Sequence, residues 1–578
     1  MTPKHAPRIV LPTGRSRLLA AILLLGLAGL TARAAYLQGM NNGFLQQKGE
    51  SRYSRVLEMS AHRGMITDRH GEPLAISTPV ESLWASPQGT NATPEQLKKL
   101  ASLIEMDVEE IRKRLNAPQH GSRRDFVYLK RHLSPDIAAK AVELNIPGVF
   151  LKREFRRYYP AGELTAHMLG FTDVDDKGQE GIELAWQNEL AGKSGSRRVI
   201  RDRKGRIVED VESIRAPQAG TNLALSIDSR IQYLAYRELK QAVETNKAKA
   251  GGIVVLDART GELLALVNLP AYNPNNRTRV NGERARNRAL TDVFEPGSTL
   301  KPFTVAAALE AGGVTPETLF ETAPGTFSIG KATIRDAHKE GLLTVAQVIQ
   351  KSSNIGSAKI ALSLPPQTLW EMLSDAGFGA VTGSGFPGEV SGRLRPYRTW
   401  RPIEQATMSY GHGIAVSLLQ LARAYTLFSA GGELKPVSLM RLDAPVSGKQ
   451  VMSRDTALAV SRMLEMVAQP GGTAPKAQIN GYRVAGKTGT AHKLEGNGYA
   501  KNRYLSTFVG YAPASSPRFV IAVMLDEPSA GQYFGGAVAA PVFSRVMGSA
   551  LRMLNVPHDA PVNNVASFTT APELEGGV

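Results

Sequence analysis

Pro296-Gly297-Ser298-Thr299-Leu300-Lys301-Pro302-Phe303 sets a hydroxyl and an amine three residues apart, directly after a Pro-Gly turn. The following stretch, TLKPFTVAAALE from Thr299 to Glu310, is mostly apolar and predicts a helix. At spacing i, i+3 the two side chains then share one helix face. Ser298 falls at the helix N-terminus, where free N–H groups and the helix dipole favour negative charge. A serine is a weak nucleophile until a base takes its proton, and a lysine is a base only when neutral. Burial or a second cation nearby lowers a lysine pKa, and Lys487 is the candidate for that cation.

Two further elements follow in order, Ser352-Ser353-Asn354 and Lys487-Thr488-Gly489-Thr490. An isolated S-x-x-K is expected by chance about once or twice in a chain of this length, and S-x-N more often. The ordered set S-x-x-K, S-x-N, K-T-G is specific to a class of active-site-serine enzymes.

The surrounding chain has the size and pattern to carry such a site. Its 578 residues exceed one ordinary core, so two or three domains are expected, and 42% apolar residues suffice to build them. There is no cysteine, which removes disulfides and thiolate metal sites from consideration. The net charge of +17 fits attraction to anionic lipid or cell wall, or a plain solvated surface. Nucleic acid is not expected, because no basic helix interleaved with aromatics and no zinc spacing occurs.

Lys4, Arg8, Arg15 and Arg17 precede fifteen uncharged residues, Leu18 to Ala32. That length suits a signal-peptide apolar region, and Ala32-Arg33-Ala34 resembles a cleavage site. With Arg33 snorkelling, however, Ala34 to Leu37 extend the stretch to a full span. An uncleaved single-pass anchor at residues 18–37 is therefore expected, with residues 1–17 cytoplasmic and the remainder of the chain on the far side of the membrane. Residues 45–220 carry no nucleophile with its base and are expected to form a noncatalytic domain. Within it Arg156, Arg157, Tyr158 and Tyr159 read as a strand end on a solvated face.

Residues 221–555 read as the catalytic domain. Gly251 to Asp257 and Glu262 to Asn268 flank Ala258-Arg259-Thr260-Gly261 as a hairpin. Tyr482 to Lys487, Tyr504 to Tyr511 and Phe519 to Leu525 form an antiparallel meander, with a helical stretch holding Ser298 and Ser352 in between. The fold class is thus α/β, a five-stranded antiparallel sheet flanked by helices. Residues 556–578 are rich in Pro, Asn and Thr and predict a disordered tail.

Gly481 to Thr488 also fits the phosphate-loop pattern G-x-x-x-x-G-K-T, with Val520 to Glu527 imitating a magnesium-binding strand. That reading fails because Gly489, Gly496, Asn497 and Gly498 follow where a helix must begin. No G-x-S-x-G elbow occurs, and His62, His338, His412 and His492 lie in no triad context. His412, in SYGHG, reads best as a turn or core residue. No H-E-x-x-H is present, and the chemistry calls for neither metal nor cofactor.

From AHRGMITDRHGEPLA (Ala61), RRYYPAGE (Arg156), GFTDVDDKGQEGIE (Gly170), YNPNN (Tyr272) and RNRALTDVFEPGSTLKPF (Arg286), the chain resembles a class B penicillin-binding protein. It looks most like the division-specific septal peptidoglycan D,D-transpeptidase of Gram-negative bacteria. One departure is His70, where the family usually has Asn. The resemblance implies the same fold, with residues 45–220 as a pedestal or dimerisation-type domain. It implies Ser298 as nucleophile, Lys301 as its base, Ser352 as proton relay, Asn354 holding Lys301 and the donor peptide, and Lys487 supplying charge. Thr488, Gly489 and Thr490 would bind substrate, with the backbone N–H groups of Ser298 and Thr490 as oxyanion hole. Tyr533 and Phe534 form either an aromatic wall of the cleft, as in relatives, or a hairpin turn packed on itself. The implied substrate is a stem pentapeptide ending in D-Ala-D-Ala, with β-lactam antibiotics as its mimics. The implied partners are a division-type membrane glycosyltransferase and other division proteins. A D,D-carboxypeptidase, a β-lactamase-type hydrolase and a division scaffold with an idle site remain alternatives.

Overall fold

In the computed structural model, residues 12–40, 54–116, 126–201, 207–278, 280–496 and 498–562 are described. The two apolar runs expected to pair do so as β1 (Ala250–Asp257) and β2 (Leu263–Leu269), joined by a turn in which Gly261 has φ +76°. Three later strands, β3 (Ala485–Glu495), β4 (Gly498–Ala512) and β5 (Phe519–Asp526), complete a five-stranded antiparallel sheet in the order β2-β1-β5-β4-β3. Every residue of β1, β2 and β5 is buried, so these strands are apolar throughout instead of alternating.

Helices cover both faces. A Cβ on Gly251 would touch Leu239 and Val243 of α1 (Ser229–Thr245), whereas one on Gly252 would touch Leu418. Successive strand residues point to opposite faces, so α1 and the helix beginning at Leu418 lie on opposite sides of the sheet. Phe508 of β4 meets Phe543 of the C-terminal helix Ala540–Met553, ring centroids 4.7 Å apart.

The third strand differs from expectation in extent. It was expected over Tyr482 to Lys487, but Tyr482 instead bridges back to Ile479 in a tight turn, and the strand runs on to Glu495. Lys487-Thr488-Gly489-Thr490 consequently lies within an edge strand, paired on one side to β4.

Contacts divide the chain into two units. One comprises residues 1–62, 79–155 and 192–219; it contains a three-stranded sheet of Ser54–Met59, Gly195–Arg201 and Ile207–Arg215, and a separate core around Leu83, Leu100, Ile111 and Leu129. The helix Thr13–Ala35 in this unit is long and apolar enough to cross a membrane. The other unit comprises residues 63–78, 156–191 and 220–578 and holds the five-stranded sheet.

Segments 63–78 and 156–191 thus join the sheet-bearing unit, and a buried ion cluster ties them together. Glu183 accepts from Arg63 Nε at 2.7 Å and from Arg157 Nε at 2.6 Å, and Arg63 also donates to Asp176 O and Gln187 Oε1. Arg157 is therefore no solvated strand end: it is buried with Tyr159, while Arg156 and Tyr158 alternate outward. The tail expected to be disordered from Val556 is ordered at its start. Tyr482 donates to Val556 O, and Asp559 accepts from Arg483 N and Ser515 Oγ; residues 563–578, like the boundary at residue 45, lie outside the described residues.

Glu183→Ala leaves two buried guanidinium groups without the carboxylate to which both donate. A loss of about 3–5 kcal/mol of stability is expected in urea unfolding of the soluble part; a loss under about 1 kcal/mol would mean that the cluster is hydrated.

Candidate active site

The turn Gly297–Leu300 is a 3-10 helix that passes into α2 (Lys301–Glu310), so Ser298 precedes the α-helix instead of starting it. At three residues per turn, Ser298 and Lys301 eclipse each other on one face. The turn is fixed from below. Tyr425, fully buried, donates its hydroxyl to Thr299 O at 2.8 Å, and Phe303 sits among Phe378, Tyr425 and Phe428 with ring centroids 4.9–5.7 Å away. Ser298 itself stays half-buried.

The second element arrives at a helix-to-helix junction. Ser352 caps α3 (Val345–Lys351) in the left-handed conformation, φ 62° and ψ 39°, and Asn354 opens α4 (Asn354–Leu362). Asp336 clamps this junction: one carboxylate oxygen accepts from Asn354 N at 2.5 Å and Ile355 N at 3.0 Å, the other from Ser353 Oγ at 2.5 Å. Asn354 Nδ2 also donates to Arg335 O. Nothing in sequence spacing marks Asp336, because a carboxylate serving a helix start from a separate hairpin obeys no local pattern.

The third element is the edge strand. Lys487 Nζ donates to Ser352 Oγ at 2.9 Å, while Lys301 Nζ contacts the same oxygen at 3.1 Å, Asn354 Oδ1 at 2.8 Å and Ser352 O. One hydroxyl thus stands between two amines whose residues have no exposed surface. Burial, with the Lys487 charge adding to it and Asp336 opposing, holds the Lys301 amine well below the usual lysine range. Burial pulls Lys487 down to about 7. A neutral Lys301 has two N–H donors and one lone pair, and the lone pair can receive the Ser352 proton.

Gly489 shows why this strand carries no side chain opposite the turn: a Cβ there would lie 2.2 Å from Thr507 Oγ1 and 2.8 Å from Pro296 O. Thr488 Oγ1 pairs with Thr473 Oγ1 at 2.9 Å, a partner that no spacing rule flags. Thr490 Oγ1 accepts from Gly535 N at 3.1 Å. The loop before Gly535 is not a hairpin folded on itself. Tyr533 stacks on Tyr504 of β4 at 4.0 Å, its carbonyl accepts from Ser506, and Phe534, half exposed, stands beside it at 4.5 Å. All ten residues singled out from sequence therefore lie on the elements that meet here. Gly486-Lys487-Thr488 sits in a strand that no helix follows, which excludes the phosphate-loop reading.

A serine, two buried amines and an edge strand define a serine acyl-transfer site of the S-x-x-K type. The family of the penicillin-binding protein transpeptidase domain matches residues 251–548, and that of the penicillin-binding protein dimerisation domain matches residues 58–225. The chain is 44% identical to the peptidoglycan D,D-transpeptidase FtsI of Escherichia coli over 94% of its own length and 93% of the relative's. It is likewise 44% identical to "Probable peptidoglycan D,D-transpeptidase PenA" of Neisseria meningitidis, over 96% and 95%. Among solved structures, the transpeptidase domain of penicillin-binding protein 3 from Burkholderia pseudomallei is 52% identical with a TM-score of 0.55, covering 58% of this chain and 98% of that one. The chain belongs to the penicillin-binding protein transpeptidase family.

A left-handed, non-glycine residue costs about 1–2 kcal/mol. Ser352→Gly and Ser352→Ala lose the same hydroxyl, so the glycine variant is expected to be about 1 kcal/mol more stable than the alanine one, against the usual helix-region order. Chemical denaturation of the pair checks this, and equal midpoints would refute the strain.

Proposed function

We propose that this protein is a penicillin-sensitive serine D,D-transpeptidase that cross-links peptidoglycan stem peptides during septal wall synthesis. The observation that carries the reading is Ser352 Oγ, held between the buried amines of Lys301 and Lys487, with Ser298 three residues before Lys301. Neutral Lys301 takes the Ser298 proton as the hydroxyl oxygen attacks the carbonyl of the penultimate D-alanine. The C–N bond to the terminal D-alanine breaks, and the proton passes by way of Ser352 to the leaving amine. Lys487 supplies positive charge, Thr488 and Thr490 bind the terminal carboxylate, and Asn354 holds Lys301 and the donor backbone. The N–H groups of Ser298 and Thr490 receive the oxyanion, usually the largest contribution in acyl transfer.

Because β3 is an edge strand paired only to β4, the backbone groups of alternate residues, which turn away from β4, can pair with an extended peptide as an added strand. Tyr533 and Phe534 border that position. A β-lactam presents the same carbonyl and carboxylate and acylates Ser298. The helix Thr13–Ala35 serves as a single-pass inner-membrane anchor with Lys4, Arg8, Arg15 and Arg17 on the cytoplasmic side, leaving residues after about 45 in the periplasm. Residues 45–220 act as pedestal, 221–555 carry the catalysis, and a division-type glycosyltransferase with other division proteins is the partner set.

Ser298→Ala is expected to abolish covalent labelling by fluorescent penicillin with the thermal transition nearly unchanged; persistent labelling would remove Ser298 as nucleophile. Lys301→Arg keeps charge but cannot deprotonate, so its acylation rate should fall by at least about a thousandfold. Lys487→Arg should be milder. Since acylation needs Lys301 neutral and its pKa lies below the ordinary lysine value, the wild-type rate should rise with pH as Lys301 loses its proton and fall on acidification. A Lys301→Arg rate within tenfold of wild type would refute the neutral-lysine base. Product analysis with an added amine separates transfer from the hydrolysis of a carboxypeptidase or β-lactamase.

A further inference from the structure

The loop Tyr410-Gly411-His412-Gly413 packs against the turn that carries the nucleophile. Gly297 N donates to Gly411 O, and a Cβ on Gly411 would lie 2.2 Å from Gly297 O, so backbone meets backbone next to Ser298. His412 is the following residue. Its ring lies between Tyr410 and Tyr499, centroids 5.1 and 5.8 Å away. Glu295, three residues before Ser298, is fixed by two donors, Gly413 N at 2.8 Å and the Tyr499 hydroxyl at 3.0 Å. Burial holds the imidazole below its ordinary value; the Glu295 carboxylate opposes this, while Lys301 and His492 add to it. Tyr410, which feels Asp336, is pushed up to about 12 by burial and stays a neutral phenol. His412 is thus half-buried, within electrostatic reach of both Lys301 and Glu295, and free of charge near neutral pH.

The transpeptidase reading requires the acceptor to shed one proton before it attacks, and Lys301 cannot keep that proton. The acceptor arrives as an ammonium, since alkyl amines of lysine type have pKa values of about 10. Only the neutral amine can attack the acyl-enzyme. During attack Lys301 removes one proton from the nitrogen and returns it to the departing Ser298 oxygen. That cycle leaves Lys301 unchanged and cannot also absorb the ammonium proton.

We propose that His412, seated between Tyr410 and Tyr499 and facing Glu295, takes that proton from the acceptor ammonium and so acts as the base of the second half-reaction. This inference rests on the transpeptidase function proposed above. The ammonium N–H bond breaks, and the proton goes to the imidazole, whose charge Glu295 balances. The amine nitrogen then forms the new bond to the acyl carbon as the C–O bond to Ser298 breaks, and imidazolium releases its proton to water. The acceptor would lie on the His412 side of Ser298.

The test follows the fate of one acyl-enzyme, made from an acyl-D-alanyl thioester, between D-alanine as acceptor and water. The ratio of aminolysis to hydrolysis cancels any change in acylation. His412→Gln is expected to lower that ratio at pH 7 by at least about tenfold. The wild-type ratio should also fall on acidification through an imidazole titration that the variant lacks. Glu295→Gln, which keeps the shape but removes the balancing charge, should move that titration to lower pH. An unchanged ratio in His412→Gln, or a titration that survives the substitution, overturns the inference while leaving Ser298 acylation intact. Absence of any acyl-enzyme in wild type would overturn the transpeptidase reading instead.

Discussion

The site depends on a backbone-to-backbone contact between an edge strand and a turn. Gly489 passes so close to Pro296 and Thr507 that no side chain fits, and Gly411 presses on Gly297. These two glycine contacts hold the Ser298 turn against the edge strand and a loop. Tyr425 and the Phe303 aromatic cluster hold it from below. Because protein interiors are close-packed, displacement of either contact shifts the nucleophile relative to the strand that receives substrate. Acyl transfer is sensitive to shifts on the scale of an ångström.

Lys301 and Lys487 pose the second constraint. A buried ammonium is costly, and the protein relieves the cost by lowering both pKa values and surrounding each nitrogen with oxygen acceptors. The acceptors come from Ser352 and Asn354, whose positions Asp336 sets through a left-handed residue and a capped helix start. Backbone strain at Ser352 is therefore part of the same device: the hydroxyl meets both amines from a conformation that glycine would adopt more easily. Away from the site, the Arg63–Glu183–Arg157 cluster joins to each other two segments, 63–78 and 156–191, that belong to the unit carrying the sheet.

Legibility from sequence follows the range of the interaction. Ser298 and Lys301 share a face through local helical geometry, and the buried strands announce themselves as apolar runs, so the trio of motifs, the five strands and the N-terminal apolar helix could be read directly. Strand limits were less legible, since Tyr482 is apolar enough to pass for strand but turns back to Ile479. The first tail residues looked disordered because their order comes from partners far away, Tyr482, Arg483 and Ser515.

What only the tertiary structure decided are the contacts between segments distant in the chain. Asp336 beneath Asn354, Thr473 beside Thr488, Arg157 turned inward to Glu183, and Gly411 placed against Gly297 all join such segments. Residue type and local spacing determined which groups were available for chemistry: two serines, two lysines and an asparagine in ordered motifs. The desolvation that makes one lysine neutral, and the approach of a second loop to the nucleophile, arise only when the chain closes on itself, because burial and Coulomb fields depend on distance in space and not along the sequence.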